Sequence, residues 1–409
     1  MAAGLVDSLC LSVAWTILIL QVTATYGLAT AGMCSAAMLV GVALSAPAAS
    51  WMARRLDGRR LLRSAAVVEA VLRLGVFLLL FSQAPVWLLA LSVSAMNVAA
   101  WTGYAGMRAE VAAASHGAAA LTWYGTIVAA VEAAGVAVAA LLPATTGPGA
   151  NTVLLVVMTA YVLALLPTAL VAGGSTVPRA PARQVAPTTR RPTPSAPAFI
   201  GALLMFSASA PTLLAVALAA QMHGRSSVGL AAIAFTLGSL AAPTLADRIQ
   251  TRQENTPTAW ILCGAGMLAG WTLAPLHVAL LCLAQALSGL FMTTLEGLLD
   301  ATIARRNRDQ VTGALARATA GRALGSAAGT ALLPLVVAGV GLHVSVSVIT
   351  ATLLVVGAIS GLNLATRRTK RELPTGPDTA AAVASAPVFP ANPSPNPLAL
   401  TLPREQRVS

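Results

Sequence analysis

Few ionisable side chains lie inside long apolar stretches of this chain, and those few carry its chemical potential. They are Asp7, Glu69, Arg73, Glu132, Glu296, Asp300, Arg317 and Arg322. A charge at the centre of a lipid-embedded helix costs on the order of 2.5–3.5 kcal/mol and usually faces the interior of a helix bundle. The chemistry available there is ion pairing, proton uptake and release, or cation binding. Glu69 and Arg73 are four residues apart, with the acid on the amino-terminal side, so they share one helix face and form a self-compensated structural ion pair. Glu132 sits in "VAAVEAAGVAV" with no cation near it in sequence. It is the first candidate for a proton-linked or cation-binding group. The plainer alternative is a structural residue, protonated or paired with Arg322, which occupies the matching place in the eleventh apolar run. Glu296 is the second candidate, with Asp300 closer to the following loop. Asn97 and Gln285 are uncharged polar candidates for a cavity. Trp101, with Tyr104 nearby, is a candidate ligand contact.

These residues need helices to position them. The chain has 409 residues, of which 57% are hydrophobic and 9% charged. A soluble domain carries roughly 25% charged residues, so part of this surface must face lipid. A spanning helix needs about 20 apolar residues, and the runs lack the strict alternation of barrel strands. Twelve spans are expected, at roughly 3–26, 28–53, 62–82, 84–107, 118–142, 151–173, 198–221, 227–246, 257–275, 277–299, 313–340 and 342–366. The first run lacks the positive n-region and exceeds the h-region of a signal peptide, so it reads as a retained span.

The net charge is +12, and every basic residue except Lys370 is arginine. The arginines cluster between apolar runs and the aromatic content is 4%. That pattern points to membrane orientation and excludes nucleic acid. With the amino terminus inside, the outer loops hold only Arg225, and both termini are cytoplasmic in the cell membrane. The four histidines (His116, His223, His277 and His343) are scattered singly. No metal spacing, Ser-His-Asp grouping or phosphate loop appears, so neither an enzyme nor a metal or other cofactor is expected. Cys10, Cys34, Cys263 and Cys282 fall inside apolar runs and read as buried thiols.

Residues 174–197 are rich in Pro, Thr and Arg and read as a cytoplasmic linker. They separate a first six-helix bundle, 1–173, from a second, 198–366. Residues 367–409 read as a disordered cytoplasmic tail. A faint internal repeat aligns 117–144 with 313–335, which sets span five against span eleven.

The loop after span two, "ASWMARRLDGRRLLR", and the loop after span eight, "APTLADRIQTR", resemble the signature of the major facilitator superfamily. That signature runs roughly G-x-x-x-D-R-x-G-R-R between spans two and three and recurs, weaker, between eight and nine. Gly58, Arg59 and Arg60 match its end in the first copy, and Asp247 and Arg248 match in the second. Arg55 stands in the acidic slot, and Asp57 follows two places late. The resemblance covers residues 1–366. It implies an all-α membrane protein of two pseudo-symmetric six-helix bundles that rock about a central cavity. It further implies a cytoplasmic gate motif linking spans two and eleven, carried here by Gly58, Arg59, Arg60, Asp247 and Arg248, with Asp57 as the substitute acid. The plainer alternative is that these cations only set topology. Span one lines the cavity in the family, so Asp7 either lines it or simply reaches the inner interface.

The expected function is secondary transport of a small molecule by alternating access, with export as the direction and protons as the candidate coupling ion. The alternatives are a non-transporting sensor or scaffold, or an uptake carrier. The expected partners are the small-molecule substrate and the lipid bilayer, and the expected state is a monomer. Family exporters often carry a glycine-rich motif ending in Gly-Pro in span five. Here the first Gly-Pro is Gly147-Pro148, outside that span.

Overall fold

The structure is a computed structural model. It describes residues 2–114, 118–142, 150–175, 177, 196–251, 257–306 and 311–372. Residues 1–360 form one contact unit, and in the unit 361–409 the described part is helical backbone that ends at Glu372.

Among the described residues nine helices are long and apolar enough to cross a membrane: Ala3–Tyr26, Leu28–Arg55, Gly58–Phe81, Val86–Met107, Thr152–Gly174, Ser226–Gln250, Val278–Ile303, Arg317–Val340 and Leu342–Ile359. Three shorter apolar helices, Ile127–Leu141, Ala196–Ala208 and Pro257–Ala269, occupy the places of spans five, seven and nine. The order is that of twelve spans in two six-helix bundles, with no strand among the described residues.

Several boundaries move outward from the apolar runs, for identifiable reasons. Span three begins at Gly58 rather than 62, because the Asp57 carboxylate accepts a hydrogen bond from the Arg60 amide at 2.8 Å and caps the helix. Spans two and ten keep their terminal arginines helical, Arg54 and Arg55 in one and Arg305 and Arg306 in the other. Cations there complement the helix dipole. Prolines interrupt two spans. Span six breaks between Leu163 and Leu166, just before Pro167, and span seven breaks on either side of Ala210–Leu213, which contains Pro211. Proline has no amide hydrogen and clashes with the preceding turn. The linker lies mostly outside the described residues, as does the tail beyond Glu372.

A repeat stronger than the one visible in sequence emerges from backbone contacts. Gly27 joins spans one and two with φ 85° and ψ 176°, and Gly224 joins spans seven and eight with φ 79° and ψ 172°. Only glycine adopts that conformation without strain. Counting from these joints, Gly32 and Gly41 match Gly229 and Gly238 in spacing. Their neighbours match too. A Cβ at Gly41 would meet the Ser94 carbonyl of span four, and one at Gly238 the Ala286 carbonyl of span ten. Gly135 of span five faces the Leu9 carbonyl of span one, as Gly329 of span eleven faces that of Phe206 in span seven.

The same register sets the packing between halves. Gly32 of span two lies against Thr330 and Pro334 of span eleven, and Gly229 of span eight lies against Ala137 of span five. Leu20, Leu28, Val136 and Ala140 of the first half pack into the hydrophobic cluster of the second, and Val216 and Ala217 pack into that of the first. All these contacts sit toward the end of the bundle away from the start of span one.

Candidate functional site

Arg73 organises the polar interior of the first half. Its side chain is fully buried, and its ring of acceptors comes from three spans. Nη2 lies 2.6 Å from Asp7 Oδ1 of span one, and Nε donates to Glu69 Oε1 of its own helix at 2.9 Å. Nη1 donates to the Tyr161 carbonyl of span six, and the guanidinium stacks 3.7 Å from the centre of that residue's ring. The i,i+4 spacing of Glu69 and Arg73 shows in sequence. The arrival of Asp7 and Tyr161 does not, because both are remote along the chain.

A small cavity adjoins this cluster. Gly4, Asp7, Ser8, Glu69, Tyr104 and Thr168 are among its lining residues. About 30 Å³ of it admits the centre of a water-sized sphere, against roughly 10–15 Å³ needed for one water. Trp101 stands beside it on span four, 41% exposed, in edge-to-face contact with Tyr104 at 5.4 Å.

The second half has a smaller ionic group. Arg322 Nη1 lies 2.8 Å from Asp300 Oδ1, linking spans eleven and ten, and Nη2 reaches Thr319 Oγ1 at 3.3 Å. Arg322 Nε is buried with no hydrogen-bond partner among the described residues. Glu296 lies one turn before Asp300 on span ten, and no ion pair forms to it among the described residues.

Arg322 therefore pairs with Asp300 and not with Glu132. The register of the repeat explains the difference: with Gly135 equivalent to Gly329, the counterpart of Glu132 is Ser326. The Ser326 hydroxyl lies 3.0 Å from that of Ser209 of span seven, within hydrogen-bond distance. The matching position to Ser209 in span one is Ser12, which packs on Gly135. Glu132 is half-buried and forms no ion pair among the described residues. The repeat thus carries a carboxylate in one half where the other carries a hydroxyl.

Asn97 is buried, its amide donating to the Val93 carbonyl at 2.9 Å. Gln285 is 1% exposed, and its Nε2 has no partner among the described residues. Trp271, at the end of span nine, is fully buried and donates to Ser288 at 3.1 Å, so it is a core residue.

At the span two/three turn, Asp57 acts as the helix cap, and its contact with the Arg60 guanidinium is a loose, exposed 3.9 Å pair. Arg59 is exposed in the first turn of span three. Arg55 stacks over Trp51 at 4.4 Å. Gly58 is cradled by Ser175, Val177 and Glu110: its amide donates to the Val177 carbonyl at 3.0 Å, and a Cβ there would lie 2.8 Å from Glu110 Oε1. Ser175 donates to that same Glu110 oxygen. Glu110, at the end of span four, was not marked by its sequence, where it reads as one more loop charge. Asp247 and Arg248 lie exposed on the last turns of span eight.

Comparison with known structures identifies the architecture. The D-xylose-proton symporter superposes with a TM-score of 0.63 at 14% identity, over 87% of this chain and 95% of that one. This is the fold of the major facilitator superfamily. The nucleoside transporter NupG follows at a TM-score of 0.61 and 13% identity, over 88% of this chain and 96% of that one. A bacterial homologue of the iron transporter ferroportin, in its inward-facing state, gives 0.58 and 14%, over 88% and 97%. Two of these are transporters by name, and the third is a homologue of one. No family model matches the sequence, and no curated protein matches it.

Proposed function

We propose that this multi-pass membrane protein is a secondary transporter that moves a small molecule by alternating access. One observation carries the reading. Two equivalent bundles pack crosswise, span two on eleven and span eight on five, through glycines at matching positions toward one end. Equivalent contacts that close one end have equivalents that close the other after a rocking motion. With the termini cytoplasmic, as the arginine distribution favours, the closed end is external and the arrangement is inward-facing. The gate motif around Gly58, Arg59, Arg60, Asp247 and Arg248 then lies on the open, cytoplasmic side, which fits a motif that engages only when that side closes.

Glu132 is the coupling group in this reading, and the coupling ion is the proton. It is a carboxylate with no ion pair among the described residues, placed where the other half of the repeat carries a hydroxyl, close to the packing of span five on spans one and eight. The xylose symporter of the same fold is proton-coupled by name. The direction we assign is export. The test is transport in proteoliposomes under an imposed pH gradient, with a panel of toxic compounds and metabolites. Glu132→Gln is expected to abolish gradient-driven transport while leaving the folded protein intact. Full gradient-driven activity in that variant overturns the coupling role, and absence of transport for the whole panel by the wild type counts against a carrier.

A further inference from the structure

We propose that the cavity between spans one, three, four and six is a binding site for a monovalent alkali cation, Na+ foremost. The argument begins with charge. Asp7 and Glu69 share one guanidinium, that of Arg73. With all three ionised, the group carries one surplus negative charge in a buried setting. Among the described residues the other ionisable groups packed around it are Cys10 of span one, Tyr104 of span four and Tyr161 of span six, none of them a cation.

The oxygen-bearing side chains that line the cavity form the second strand. Arg73 occupies Oδ1 of Asp7 and Oε1 of Glu69, and Oδ2 and Oε2 have no hydrogen-bond partner among the described residues. Ser8 and Thr168 are 7% and 8% exposed and line the same space. Many hydroxyls in these helices bond back to a carbonyl one turn earlier, as Thr23 and Ser209 do. The hydroxyls of Ser8 and Thr168 make no such bond, nor any other among the described residues. Two carboxylates and two hydroxyl side chains lining a water-sized space offer an all-oxygen set, the kind that hard cations take.

Span six supplies the third strand. Its break between Leu163 and Leu166 brings Leu165 and Thr168 to the cavity wall. Pro167 has no amide hydrogen, so the Leu163 carbonyl loses its usual helical donor. Interrupted helices recur at the ion sites of transporters; here the break brings Leu165 and Thr168, and not Leu163, to the cavity. One surplus charge matches a monovalent ion, and two carboxylates with one already neutralised by Arg73 are too few for a divalent ion.

The test measures binding alone, so its outcome is independent of whether the protein transports. Full-length protein in nanodiscs is titrated with radiolabelled Na+ at constant ionic strength, with choline as the balancing cation and Ca2+ as competitor. Saturable Na+ binding, unaffected by Ca2+, is expected. Asp7→Asn, which removes the surplus charge, is expected to abolish it. Ser8→Ala combined with Thr168→Val keeps the charges and is expected to weaken it by roughly 10–100-fold. The proposal is overturned by absence of saturable Na+ binding to wild type, by Ca2+ displacing Na+ at comparable concentration, or by undiminished binding in the Ser8/Thr168 double variant. A site that releases a proton on alkalinisation yet ignores Na+ also overturns it.

Discussion

Arg225 donates from Nη2 to the carbonyl oxygen of Ala139 at 2.9 Å, a hydrogen bond that crosses from the second half to the first. It lies beside the Gly229–Ala137 contact, and the equivalent crossing on the other flank is Gly32 against Thr330 and Pro334. Among the described residues this hydrogen bond and the two glycine contacts in register add to the apolar packing between the halves at that end.

Filling those glycines is expected to open that end. In Gly32→Val the new side chain meets Pro334 Cγ and the Thr330 carbonyl, with the Cβ alone at 2.7 and 2.9 Å. Overpacking costs about 1–3 kcal/mol, and in the proposed transport cycle only the state with this end closed bears that cost. The equilibrium is expected to move toward the opposite-facing state by roughly 5–150-fold. Spin labels on the span one/two and span eleven/twelve joints, in a background without Cys10, Cys34, Cys263 and Cys282, measure the change as a longer distance population.

Arg73 is expected to be the least replaceable charge in the first half. Arg73→Gln leaves Asp7 and Glu69 facing each other without their cation. Breaking a buried pair by removing one partner costs about 3–5 kcal/mol. Arg73→Lys keeps the charge but cannot serve Asp7, Glu69 and the Tyr161 carbonyl together, so it is expected to fall between. Thermal unfolding in detergent ranks the three proteins, and a Gln variant as stable as wild type contradicts the buried network.

These relations mark where sequence reasoning succeeds and where it stops. The twelve spans follow from apolar run length, and Glu69–Arg73 follows from helical spacing, because both are local properties. Asp7 reaches Arg73 only through the packing of span one on span three, which no local pattern encodes. The mismatch of Arg322 with Glu132 comes from aligning small-residue helices by composition, where many registers score alike. Gly27, Gly32 and Gly41 and their counterparts Gly224, Gly229 and Gly238 set the register. Glycines are so frequent in membrane helices that their shared spacing stands out only once their neighbours are known. Asp57 has a role at its turn that the motif resemblance did not suggest, as the cap of span three.

Asp300 and Glu296 are expected to act as alternative partners of Arg322. Asp300→Asn removes the 2.8 Å pair, a charge-assisted bond of about 1.5–3 kcal/mol. The loss is expected near the lower end, because the Asp300 side chain is 40% exposed and Glu296 stands one turn away. Glu296→Gln alone is expected to change stability by less than about 0.5 kcal/mol. The double variant strands Arg322, whose side chain is 7% exposed, and is expected to cost more than the two singles added. A double-mutant cycle measures that surplus, and strict additivity contradicts a shared partner.

Glycine substitutions separate close packing from mere small size. A Cβ at Gly325 runs into the Ala202 carbonyl and one at Gly329 into that of Phe206, so spans seven and eleven touch backbone to backbone there. Carbonyls in a helix cannot swing aside as side-chain ends do. Gly325→Ala and Gly329→Ala are therefore expected to push the helices apart and destabilise by about 1–3 kcal/mol. Gly75 and Gly297 have nothing within 4 Å of the same position. Alanine there meets open space and relieves the helix of glycine's backbone freedom, so Gly75→Ala and Gly297→Ala are expected to be neutral or to stabilise by up to about 1 kcal/mol. Unfolding of the four variants, measured side by side, must split into these two pairs; if all four behave alike, the contact between spans seven and eleven is looser than the structure has it.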